Sequence, residues 1–183
     1  RSAKYVETVC VAGVTGEARW IRLYPVQFRQ MAKETQFAKY QLVKLRAAKH
    51  PRDSRPESFR PLEETIQLGE VLTTARDSQW DRRREWIDRT LSPSMCAIRR
   101  QQESDRTSLG AFRPKVVDDL VISRERSTDL AQQESLLSQL QLFGEHVQPV
   151  ERPDFVFRYV YRCDDPACPG HTQSIIDWEI LQS

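Results

Sequence analysis

The chain has 183 residues, 39% apolar and 30% charged, which excludes a disordered chain and leaves room for one domain or two small lobes. Its 28 Lys and Arg against 26 Asp and Glu give a net charge of only +2, which excludes a protein that grips nucleic acid by bulk positive charge alone. No apolar run approaches the roughly 20 residues that span a bilayer, and the first residues lack a secretory apolar stretch, so the sequence reads as cytoplasmic with no membrane partner.

The first elements form a β-hairpin. Tyr5 to Val14 and Ala18 to Tyr24 alternate as strands, with Thr15-Gly16-Glu17 as the turn. Alternation places Trp20, Arg22 and Tyr24 on one face of the second strand and Ile21 and Leu23 on the other. Pro25 is expected to end that strand. A short helix or irregular turn follows over Val26 to Lys39, then a strand over Tyr40 to Ala47 and a proline-rich, arginine-rich loop over residues 50 to 61.

Glu64 to Leu72 reads as a strand. Ser78 to Leu91 reads as a helix capped by Asp77, with Trp80, Ile87 and Leu91 on one stripe. Pro93 breaks it, and a short helix continues through Cys96 and Ile98. Leu109 to Arg113 and Val116 to Arg124 read as strands around Pro114-Lys115. Thr128 to Phe143 is the clearest amphipathic helix, with Gly144 as its stop. Phe155 to Arg162 has strong β propensity, and Ser174 to Leu181 fits either period. The order of strands and helices gives an α+β, β-rich protein of two lobes.

One motif carries metal chemistry. Cys163-Asp-Asp-Pro-Ala-Cys168-Pro-Gly-His171 puts two thiols and an imidazole within nine residues, among turn-forming Pro and Gly. Zinc takes sulfur and nitrogen ligands tetrahedrally, and a structural site needs four of them. The fourth is expected from elsewhere: Cys96, just after a Pro-broken helix end, is preferred to Cys10. C-x4-C does not match the C-x-x-C of thiol oxidoreductases.

The sequence contains no G-x-x-x-x-G-K-[ST], G-x-G-x-x-G or G-x-S-x-G motif. Asp118-Asp119 and Glu63-Glu64 read as solvated strand ends. The expectation is therefore no enzyme activity. Of the basic residues 22 are Arg and 6 are Lys, a bias that suits planar contacts to phosphate and that a GC-rich genome also produces.

Aromatic and arginine residues interleave at Trp20, Arg22 and Tyr24, then at Arg52, Arg55, Phe59 and Arg60. Single-stranded nucleic acid is held by such stacking and phosphate contacts. The binding face is accordingly read as Trp20, Arg22, Tyr24, Arg55 and Arg60, with single-stranded DNA or RNA as partner. The competing reading has Trp20 and Tyr24 in the core and the loop arginines paired with Asp53 and Glu57.

The segments ETVCVAG (7 to 13), WIRLYPVQFR (20 to 29), RPESFRP (55 to 61), SMCAIRR (94 to 100), TSLGAFRPK (107 to 115) and YRCDDPACPGHTQSIIDWEI (161 to 180) together resemble a family of prokaryotic dual OB-containing domains. The resemblance implies two small OB-like β-barrel lobes with interspersed helices and a C-terminal zinc knuckle. It also implies a place in bacterial conflict or antiviral defence systems, with nucleic-acid binding and no known enzyme activity. The first lobe is expected over 1–75, connecting helices over 76–106 and the second lobe with its structural zinc over 107–183, packed as one unit. The alternative function is a protein-interaction or scaffold domain of a multi-component defence system that makes no nucleic-acid contact.

Overall fold

The computed structural model describes residues 9–28, 30–74, 80–124 and 155–176. It is β-rich, with two sheets and few helices. By contacts the chain divides into Arg1–Arg113 and Pro114–Ser183. No helix among the described residues is long and apolar enough to cross a membrane.

The first unit holds β1 (Val9–Val14), β2 (Trp20–Val26), β3 (Gln41–Lys49) and β4 (Ser58–Val71) in the order β1-β2-β4-β3. The hairpin forms as the sequence predicts, β1 antiparallel to β2. Its turn closes through Ala18, at φ +57°, whose N–H donates to the Thr15 carbonyl at 2.9 Å. β2 does not stop at Pro25. The pairing skips there from Val9↔Val26 to Val11↔Leu23, so two β2 residues oppose one of β1, and a bulge is a place where a strand tolerates proline.

A single 3-10 turn, Lys33–Thr35, stands in the expected irregular stretch, beside an edge-to-face pair of Phe28 and Phe37 with centroids 5.2 Å apart. β4 is longer than expected, because Ser58 to Pro61 belong to it and not to the preceding loop. Its first residues pair with both neighbours: Ser58 and Phe59 lie against Arg22 and Leu23 of β2, and Phe59 to Leu62 against β3. Pro61 lies past the end of the β2 pairing, an edge-like setting in which a missing N–H is tolerated.

Among the described residues of this unit, Leu23, Val26, Ile66 and Leu72 are the buried apolar ones. Each such side chain contributes about 1.5–3 kcal/mol when withdrawn from water.

Two helices follow. α1 (Asp81–Ile87) runs into a 3-10 turn, Asp88–Thr90, and starts after Trp80. The expected Asp77 cap lies outside the described residues. Trp80 is 51% exposed, so the stripe it was assigned to is not a core face at that end. α2 (Met95–Asp105) is capped by buried Ser94, whose Oγ accepts from the Ala97 N–H at 3.0 Å. The segment Leu109 to Arg113 is not a strand. It makes one bridge, Ala111 to Leu91, and a Cβ on Gly110 would meet Ile98 Cδ1 of α2 at 3.0 Å. A larger residue there would require the Ile98 side chain to give by a few tenths of an ångström.

The second unit holds β5 (Val116–Arg124), β6 (Phe155–Arg162) and β7 (His171–Ser174), antiparallel in that order. β5 and β6 fall where alternation and β propensity put them. The predicted helix over Thr128 to Phe143 and most of the stretch Ser174 to Leu181 lie outside the described residues. Neither sheet closes into a barrel among the described residues.

Candidate metal centre and binding face

β6 delivers the chain into the cysteine loop. Cys163 directly follows the strand and is 3% exposed, while His171, 4% exposed, opens β7 and pairs in register with Tyr161. Between them the chain turns twice. Asp165 starts the first turn: its carbonyl accepts from the Cys168 N–H at 3.0 Å and its Oδ1 from the Ala167 N–H at 3.0 Å. Gly170, at φ +87°, makes the second in a conformation that L side chains rarely adopt. The Tyr161 ring lies 5.2 Å from the imidazole centroid, and its hydroxyl donates to Gln173 Oε1 at 2.8 Å.

Both sulfurs face the same ring nitrogen. Cys163 Sγ is 3.4 Å and Cys168 Sγ 3.3 Å from His171 Nε2, and the Cys163 N–H points at Cys168 Sγ at 3.5 Å. One loop thus gathers three ligand atoms, with both thiols within 3.4 Å of the imidazole nitrogen. Tetrahedral zinc with Zn–S near 2.3 Å and Zn–N near 2.0 Å separates its ligand atoms by about 3.5–3.8 Å. Cys163, Cys168 and His171 therefore fit three of the four positions around such an ion, and no disulfide forms among the described residues. Cys96 sits in the first turn of α2, where the helix dipole favours a negative group such as a thiolate. Cys10, the other candidate, is exposed on β1.

Two family models cover nearly the whole chain. Residues 1–89 match "Domain of unknown function (DUF8758)" and residues 91–183 match "Domain of unknown function (DUF8757)", the latter spanning just over half of the 183 residues. The chain belongs to the DUF8757 family. Neither description names an OB-fold or defence, and no curated protein or solved structure matches. Cys96, Cys163, Cys168 and His171 all fall within the DUF8757 segment, whereas the aromatic and arginine residues singled out as a binding face fall within the DUF8758 segment.

In the DUF8758 segment the structure brings three of those five residues together. Arg22 and Arg55 converge on Asp53, which accepts from Arg22 Nη1 at 3.0 Å, Arg55 Nε at 2.9 Å, Arg55 Nη2 at 2.9 Å and Ser58 Oγ at 2.7 Å. The hydrogen bonds of Arg55, foremost, hold the Asp53 carboxyl far below the usual carboxylate range, and Asp53 in turn raises Arg55. The network extends through buried Glu57, whose Oε1 accepts from Ser108 N and Oγ, each at 2.7 Å. Tyr24 lies under Arg22, 5.0 Å from its guanidinium carbon. Trp20 is half-buried, with its indole N–H buried and without a hydrogen-bond partner among the described residues, and Arg60 is exposed on β4.

A second aromatic and arginine group was not foreseen. The Arg83 guanidinium carbon stands 3.8 Å from the Tyr40 ring centroid and 4.9 Å from that of Trp80. The signal in the sequence was the run Arg82-Arg83-Arg84 beside Trp80, obscured by the helical periodicity that placed Trp80 on one stripe with Ile87 and Leu91.

Proposed function

We propose that the chain is a non-catalytic binding module for single-stranded nucleic acid whose C-terminal segment is held by a structural zinc ion. Zinc would be coordinated by Cys96, Cys163, Cys168 and His171. Four protein ligands leave no open position for substrate or water, the mark of a structural site and not of a catalytic one. When bound, the ion would fix the cysteine loop and the start of α2.

The observation that carries the nucleic-acid reading is the repeated placement of a cation over an aromatic ring in the DUF8758 segment: Arg22 on Tyr24, Lys49 on Phe59, and Arg83 on Tyr40 and Trp80. Such pairs offer stacking faces for unpaired bases next to charge for phosphates. Arg22 and Arg55 are engaged with Asp53, so the phosphate contacts are assigned to exposed Arg60 and its exposed basic neighbours. The resemblance to dual OB-containing domains supports reading the two sheets as OB-like lobes and placing the module in a bacterial defence system. The length of β4 and its pairing with strands on both sides agree with that reading.

The scaffold reading is favoured by one observation, the exposed apolar residues Val117, Leu120 and Ile122 of β5. Fluorescence anisotropy with short labelled oligonucleotides decides between the two. The expected result is binding at low salt, single strands above duplex, with a log–log salt slope near −2 for about three phosphates. If neither single strands nor duplexes, DNA or RNA, bind at low salt, the scaffold reading takes its place.

A further inference from the structure

We propose that Trp80, supported by Tyr40 and Arg83, is a base-stacking platform for an unpaired nucleobase, with Arg84 placed for the adjoining phosphate. The inference rests on the nucleic-acid reading above and names the site within it.

Four observations carry it. Trp80 and Tyr40 are large aromatics 51% and 43% exposed, and apolar surface of that size left in water is stabilising only if something else covers it. The rings are nevertheless held in place: they meet edge to face at 88° with centroids 5.7 Å apart, and Arg83 is stacked against both. Arg83 is itself anchored, its Nε donating to the Leu72 carbonyl at 2.7 Å, while the Leu72 N–H donates to the Tyr40 carbonyl at 2.8 Å. Buried Leu72 thus fixes the backbone of one partner and the side chain of the other.

The fourth observation is backbone strain. Tyr40 adopts φ +57°, a left-handed conformation that strains a bulky residue and is found where a position is over-determined by its surroundings. A ring kept rigid and exposed at such a position loses little entropy when a base stacks on it. The charge at hand for a phosphate is a single arginine, on a surface it shares with Asp81, Glu85, Asp88 and Arg89. Arg84 is exposed and forms no ion pair among the described residues, whereas Arg82 is paired with Glu70 at 2.7 Å. An acidic peptide would use the same arginine, but it has no need of two open aromatic faces.

The test uses the full chain and a 15-nucleotide oligothymidylate carrying photoreactive 5-iodouracil. The expected result is a crosslink to the peptide containing Trp80 or Tyr40. In anisotropy, Trp80→Ala weakens binding about tenfold or more with an unchanged salt slope, Trp80→Phe restores most of it, and Arg84→Ala shallows the slope by about 0.7. Circular dichroism of the exposed-site variants confirms folding. Wild-type binding with Trp80→Ala unaffected and all crosslinks elsewhere would overturn the platform and leave the nucleic-acid reading standing. Absence of wild-type binding would overturn both.

Discussion

Arg22 donates to Asp53 across 31 residues of sequence at 3.0 Å, with both side chains 13% exposed. The carboxylate they share with Arg55 organises the loop between β3 and β4. Removing it would leave two guanidiniums facing each other with little water to screen them.

Asp53→Asn is therefore expected to destabilise the chain by about 2–3 kcal/mol, near the low end for breaking a buried pair because these groups keep some solvent. Asp53 is depressed in the folded state below its unfolded value near 4. Its contribution is therefore complete at neutral pH and lost as pH falls below about 4 toward the folded value. Denaturant unfolding from pH 7 down to 3 should show a shallower acid decline in Asp53→Asn than in wild type. Equal slopes would remove Asp53 from the account of acid stability.

Ser94→Ala removes the hydroxyl that caps α2 and should cost about 1 kcal/mol. Cys96 lies two residues further on, so the same variant should also release zinc more readily to a chromophoric chelator. Loss of stability with unchanged zinc release would show that the start of α2 does not position Cys96.

Gly170→Ala tests the second turn of the cysteine loop. No atom lies within 4 Å of the added Cβ, so the cost is conformational, from φ +87°, and should be about 1 kcal/mol. Because the turn aims His171, zinc affinity should fall as well. Thermal melts with and without chelator separate the two effects, and a variant as stable as wild type would contradict the assigned geometry.

How much of this was legible in the sequence follows from what each feature depends on. The hairpin, β5, β6 and the cysteine loop rest on alternation and on Pro and Gly within a few residues, which a sequence displays. The choice of Cys96 over Cys10 rested on a local argument about a helix end. The start of β4 was hidden because its proline is tolerated only through the pairing of β2, which ends at Phe59. The interleaved arginines were visible, but their commitment to Asp53 was not, since Asp53 and Arg22 are brought together by the β2–β4 pairing and not by spacing. Trp80 was misplaced because helical periodicity identifies a stripe without saying whether anything covers it.

Cys96→Ser and Cys10→Ser distinguish the two candidate ligands. The first should abolish stoichiometric zinc and lower the melting temperature; the second, at an exposed position on β1, should do neither. The reverse pattern would reassign the fourth ligand.

X-ray absorption spectroscopy of the purified chain, with elemental analysis of the same sample, tests the centre most directly. The account predicts one zinc per chain with three sulfur ligands at about 2.3 Å and one nitrogen at about 2.0 Å. A metal-free protein whose melting temperature is unchanged by chelator, or zinc bound with fewer than three sulfurs, would contradict it.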